Sequence, residues 1–274
     1  MLILGLDTST SAVSAGLVRD GRIISEVFLD RGLKHNQRLL PLVERVLAEA
    51  GSCPADLDAV AVTTGPGSYT GLRIGVMTAK ALAYGLGIPV VGLGTFEAIF
   101  SQAPRLSMEG TPVWVLLEGR KNQVIGGYFP GSVSQPGGNP DQRGGSETGP
   151  GFGPGLDREL CPRPGREDPG TGYLEEPVRR IALEIAAFLE EARETGRCLF
   201  VGPAALSHHA GIAGAVGKGA FFLPPSLNFP RAGQVAWLGW RGLAGGEGRD
   251  PRDIQALYFP RLSPQERPAA ATED

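Results

Sequence analysis

The sequence is poor in the residues that most active-site chemistry needs. It holds three cysteines, three histidines and 7% aromatic residues in 274. Cys53, Cys161 and Cys198 are odd in number and far apart, with no C-x-x-C pair. That excludes a disulfide framework and a zinc–thiolate site, and makes a reducing cytoplasm the expected compartment. No apolar run approaches the ~18 residues that cross a bilayer. The apolar start, Met1 to Leu6, has no basic residues before it and is cut short by Asp7, so no secretory signal is expected. Charge of one sign is also missing: 26 Lys and Arg against 29 Asp and Glu leave a net −3. Such a surface is not built to grip nucleic acid alone. Four residues after His35 stands Leu39, so a two-histidine clamp on one helical face is absent, and His208 and His209 are adjacent and cannot share a face. No G-x-S-x-G elbow and no Cys–His pairing stand out.

What the chain does have is a folding core. Hydrophobic residues make up 42% and charged residues 20%, which excludes wholesale disorder. Residues 2–7, 12–18 and 22–29 read as three sequential strands, with Asp20-Gly21 as a type I′ turn. Leu39, Val43, Val46, Leu47 and Ala50 then recur at helical spacing over 36–50, ended by Gly51, with Pro41 either in the first turn or bending the helix. Residues 58–64 return to strand, 65–70 form a loop with Thr70 as N-cap, 71–86 a helix, 89–93 a strand and 95–103 a short helix. Three antiparallel strands feeding helix-linked parallel ones is one half of the actin/hexokinase/sugar-kinase duplication.

The pattern begins again from Pro112. Residues 113–118 and 123–129 read as strands, 177–195 as a helix opened by Pro177, 198–202 as a strand, 204–212 and 231–244 as helices and 256–259 as a last strand. The fold class is therefore α/β, a duplicated ribonuclease-H-like fold of that kinase-and-actin (ASKHA) plan, with a reduced second half. Residues 1–104 make the first half and 105–262 the second. Between 130 and 172, 20 of 43 residues are Gly or Pro, a composition unable to bury enough surface to offset chain entropy, so a mobile insertion is expected there. The tail 263–274 is expected to fray.

Three features could carry function. Asp7-Thr8-Ser9-Thr10 follows the first strand, where hydroxyls and backbone N–H groups can face an anion, or simply close a turn. The run from Thr63 to Gly75 leaves a strand and enters a helix, but no Gly-Lys-Ser/Thr closes it as a P-loop. Arg73 in its first turn opposes the helix macrodipole, which suits either a carboxylate partner or a solvated arginine. Finally, Gly71, Gly75, Ala79 and Ala83 recur every four residues, flanked by Leu72 and Val76. That stripe admits internal packing on the sheet, or a docking ridge for a partner's helix with Leu39, Leu42, Val43 and Val46 beside it. Glu118, Arg120 and Lys121 stand where the second half would carry its own phosphate hairpin.

The runs LGLDTSTSAVSAGLV, HNQRLLPLVERVLAEAG and AVTTGPGSYTGLRIGVMTAKALAYGLGIPVVGLGTFEAI together resemble the TsaB (YeaZ) family over about residues 1–104, while EGRKNQVIGGYF and ALYFPR resemble its later segments. The resemblance implies a noncatalytic subunit in the synthesis of threonylcarbamoyladenosine on tRNA. It implies heterodimerisation with the paralogue TsaD through helices 36–50 and 71–86, docking of the ATPase TsaE at the pair, and self-association when alone. On that reading Leu39, Leu42, Val43, Val46, Gly71, Leu72, Arg73, Gly75, Val76, Ala79 and Ala83 form the interface. Asp7, Thr8 and Ser9 are a vestigial phosphate loop, ATP and metal belong to the partner subunits, and tRNA is met only through the complex. The glycoprotease label attached to such proteins finds no support where Leu39 replaces a second histidine. The competing reading is a small-molecule kinase or ATPase of the same fold, acting alone through Asp7 and Thr8.

Overall fold

A computed structural model describes residues 1–30, 32, 35–103, 110–131, 177 and 179–258. The expected insertion at 130–172 lies almost wholly outside them, and the tail 263–274 entirely so. The first half opens with β1 (Leu2–Asp7), β2 (Val13–Arg19) and β3 (Arg22–Leu29). Asp20 and Gly21 both have positive φ, 49° and 78°, as the tight turn requires. Then come α1 (His35–Glu49), β4 (Ala59–Gly65), α2 (Tyr69–Leu86), β5 (Val90–Gly94) and α3 (Thr95–Phe100). The five strands form one sheet in the order β3-β2-β1-β4-β5, antiparallel through β1–β2–β3 and parallel through β1–β4–β5.

The second half repeats the plan with β6 (Val113–Glu118), β7 (Gln123–Phe129), β8 (Arg179–Glu184), α4 (Ile185–Thr195), β9 (Cys198–Val201), α5 (Pro203–Ser207), α6 (His209–Val216), β10 (Ala220–Phe222) and α7 (Ala232–Ala244). Its sheet runs β10-β9-β6-β7-β8, the same order read from the other edge, with the same antiparallel and parallel pairings. The duplicated α/β plan is thus present, but the expected reduction of the second half is not seen among the described residues, where each half carries a five-stranded sheet.

Three expectations need correction. Residues 179–184, expected in a helix, form β8, because Ile181 and Leu183 alternate and the β7 edge offers a full ladder; the helix starts only at Ile185. The region 204–212 is two helices, α5 and α6. Residues 256–258 lie outside any strand and make one sheet contact, Leu257 N–H donating to Thr64 O at 2.7 Å.

Each half lends a helix to the other. The α3 side chains Phe96, Ile99 and Phe100 pack with Val113, Val115, Leu117 and Phe129 of the second sheet, and Phe100 stacks on Phe129 at 3.9 Å. In return, Val235, Ala236 and Leu238 of α7 pack on Ile3, Val18, Ala59 and Ala61 of the first. This approach is close: a Cβ at Gly5 would collide with the Ala232 carbonyl. The far face of the first sheet is covered by α1 and α2, whose Leu39, Val43, Val46, Val76 and Ala79 share a core with Leu4, Leu6, Val60 and Val62. Burying each such aliphatic side chain contributes about 1.5–3 kcal/mol, which is what fixes the two helices on the sheet. Pro41 lies past the first turn of α1, on its exposed side.

Candidate functional site

The loop after β1 is where α1 and α2 are fastened. Asp7 is fully buried, and its Oδ1 accepts from Thr63 Oγ1 at 2.6 Å, from Ser9 Oγ at 2.7 Å and from Ser9 N–H at 3.3 Å, while Oδ2 has no partner among the described residues. Burial pushes the Asp7 carboxyl up to about 6, against the pull of the Thr63 and Ser9 hydrogen bonds and the nearby His35. Thr8 Oγ1 donates to Gly71 O at 2.7 Å, and Ser68 N–H donates to Ser9 O at 2.7 Å. His35 Nε2 lies 3.1 Å from Ala12 O, tying the first residue of α1 to the same loop.

These residues do not fit a nucleotide phosphate. Asp7, Thr8 and Ser9 are all buried, and loop 65–68 lies so close that a Cβ at Gly67 would collide with Ser9 O. The hydroxyls are spent inside the protein. The equivalent turn of the second half is open: Gln123 N–H donates to Arg120 O at 2.8 Å, and Glu118, Arg120 and Lys121 are exposed. His209 packs on Phe222 with ring centroids 4.1 Å apart and the rings tilted. Among the described residues no group of three His, Cys, Asp or Glu side chains is placed to hold a metal ion. Cys198 is buried, and burial pushes its thiol up to about 12, so it is inert as a nucleophile.

The expected docking ridge is corrected by its own burial. Leu39, Leu42, Val43, Val46, Gly71, Leu72, Gly75, Val76, Ala79 and Ala83 are all buried within this chain. The small stripe exists because α2 lies directly on the β1 loop: a Cβ at Gly75 would run into Thr8 Oγ1, and one at Gly71 into Thr8 O. Of the expected interface residues only Arg73 is exposed. The N-cap also moves, from Thr70 to Ser68, whose Oγ accepts from Gly71 N–H at 3.2 Å.

The opposite face of α2 was missed. Tyr69, Met77 and Tyr84 are 59%, 61% and 71% exposed, with Arg73 in line between the first two and Leu40 of α1 50% exposed. Positions 69, 73 and 77 recur every four residues, two places out of step with the small stripe. Large apolar side chains on the polar side of an amphipathic helix were the available signal.

The paired halves of three antiparallel strands feeding helix-linked parallel ones, with the last helix of each packed on the other's sheet, define the actin/hexokinase/sugar-kinase class of α/β proteins. The structure of YeaZ from Pseudomonas aeruginosa matches this fold with a TM-score of 0.64 at 22% identity, over 94% of this chain and 99% of that one. A family model described as TsaD, tRNA N6-adenosine threonylcarbamoyltransferase, matches residues 30–141. The tRNA threonylcarbamoyladenosine biosynthesis protein TsaB of Bacillus subtilis is 27% identical over 240 residues, 87% of each chain. Its namesake in Escherichia coli is 36% identical over 124 residues, 45% of this chain and 53% of that protein. Against the E. coli relative and a 45% identical Mycobacterium tuberculosis protein, the chain spans about half the relative's length, 53% and 48%. Within its fold class, the chain is similar in sequence to proteins named TsaB.

Proposed function

We propose that this chain is a noncatalytic subunit in tRNA N6-threonylcarbamoyladenosine biosynthesis, which docks on TsaD through α1 and the outward face of α2. One observation carries this reading: Tyr69, Met77 and Tyr84 are exposed on a helix whose other face is sheet core. A surface helix that keeps large apolar side chains in water is built for a partner. The names of the relatives supply the pathway, and the family model supplies TsaD as the paralogue of the same fold. The closed loop around Asp7 agrees with a scaffold, since catalysis needs positioned charges facing the reacting centre. ATP and metal then belong to the partner subunits, TsaE joins at the pair, and tRNA is engaged only by the assembled complex.

The test is reconstitution. TsaD from the same cell should require this chain to form threonylcarbamoyladenosine on tRNA, read by mass spectrometry of the digested nucleosides. Full activity of TsaD without it would end the proposal. Heat released on titrating the isolated chain with ATP and magnesium, and lost in Asp7→Ala, would instead favour the lone kinase reading.

A further inference from the structure

The acids of this chain are unevenly spread. From Thr195 to Gly246, 52 residues contain no Asp or Glu, although the whole chain has 29. Arg197, Lys218, Arg231 and Arg241 stand in that stretch, with His208 and His209. The fold divides the four cations. Arg231 and Arg241 belong to α7 and its N-cap on the first sheet, where Arg231 pairs with Glu26 at 2.6 Å and Arg241 lies over Trp237. Arg197 and Lys218 stay with the second sheet, at the corner where β9 and β10 begin. Of the acids on the neighbouring α4, Glu190 is matched by Arg193 and Glu191 by Arg179, and Glu194 in the last turn offsets the two cations in part.

Two glycine turns build that corner. Gly196, at φ 69°, closes α4 and leads into β9, and Gly217, at φ 67°, closes α6 and leads into β10. The turns touch, since a Cβ at Gly219 would lie 2.8 Å from Gly196 O. Arg197 and Lys218 therefore stand on adjoining turns. Both are exposed, and neither is in an ion pair among the described residues. β10 is the edge of its sheet, and its Phe221 is 36% exposed, with the Arg197 guanidinium carbon 5.3 Å from the ring centre. Cations without carboxylates suit phosphates, and an exposed ring beside them suits the face of a base. A paired helix of RNA would offer the corner its phosphates and leave the ring unused, so the fit is to unpaired nucleotides. A partner's α-helix fits less well, because two glycine turns and a three-residue strand make no continuous apolar groove.

We propose that the corner formed by Arg197, Lys218 and Phe221 is an RNA contact, which takes an unpaired base on Phe221 and the flanking phosphates on the two cations. This rests on the subunit reading above, under which the RNA is the tRNA, and it gives the second half of the chain a direct share in holding it. Two phosphate contacts are too few to hold RNA by themselves on a chain of net charge −3, so the corner acts within the assembled complex. It lies in the other half from α1 and α2, whose side chains belong to the core of the first sheet.

The test is tRNA binding by the complex of the full chain with TsaD from the same organism, measured over a salt series. Arg197→Ala and Lys218→Ala should each weaken binding at low salt and reduce the slope of log affinity against log salt by about 0.7 to 1. Phe221→Ala should weaken binding by about fivefold or more at every salt concentration, because stacking is not screened. Phe221→Trp keeps the ring face and should bind as well as wild type. All four variants should keep the wild-type affinity for TsaD. If the wild-type complex holds tRNA and the alanine variants hold it equally well with the same slope, the RNA contact is wrong and the subunit reading survives. If the wild-type complex neither binds nor modifies tRNA, both fall. If the charge variants weaken TsaD binding and leave the tRNA affinity of the formed complex unchanged, the corner is a protein interface and the proposal is overturned.

Discussion

The two faces of α2 are built from opposite materials. One face is Gly71, Gly75, Ala79 and Ala83, and it lies against the protein's own sheet and β1 loop. The other is Tyr69, Arg73, Met77 and Tyr84, and it faces water. Small side chains permit close approach, but close approach is needed first by the chain's own backbone. Bulk left in solvent is the better mark of a surface reserved for another protein. A four-residue repeat alone therefore does not say which side of a helix is free.

The contrast is easiest to break from inside. Gly75→Leu should abolish folding rather than association, since its side chain must displace Thr8 beneath a packed helix. A loss of roughly 4 kcal/mol or more is expected. A circular dichroism melt with a native transition would contradict the packing described.

Asp7 lies under the same inward face, and its effect is smaller and depends on pH. Its folded value of about 6 lies above the unfolded 3.8. The stability associated with the protonated carboxyl is complete below 3.8 and is lost as pH rises through about 6. Above that, the buried carboxylate costs about 3 kcal/mol. Asp7→Asn should remove that fall, so denaturant midpoints measured at about pH 4.5 and about pH 7.5 should converge relative to wild type. Parallel profiles for the two proteins would show that Asp7 does not titrate there.

The mildest substitutions map the faces directly. Ala81 is exposed and Ala79 buried, two positions apart on one helix. Ala81→Cys should change stability by less than about 0.5 kcal/mol. It should react rapidly with a maleimide in the free chain and slowly in the complex with TsaD. Ala79→Cys should resist the reagent in both, and equal labelling of the two would erase the distinction between faces.

Much of this fold was legible in the sequence. The order of elements in the first half follows from the short apolar runs, the Asp20-Gly21 turn and the helical periods of α1 and α2, each a local signal that agrees with the global plan. The errors share a cause. Residues 179–184 pass for helix until the β7 edge is available to pair with them. β10 has only the three residues Ala220–Phe222, too few for a period to show. Leu257 and Tyr258 look like a strand because both suit one, but a single hydrogen bond to Thr64 is all the sheet gives them. For the candidate site, Arg73 was visible as a misfit with the helix dipole. Tyr69, which accepts from Arg73, packs on Tyr258, a contact between residues far apart in the chain that no periodicity encodes.

The most direct test of the account is the affinity of Met77→Glu for TsaD, measured by calorimetry on protein whose thermal transition matches wild type. Met77 sits at the middle of the exposed face, so the account predicts binding weakened by about a hundredfold with folding untouched. Undiminished affinity in that variant would place the interface elsewhere and leave the outward face of α2 without a role.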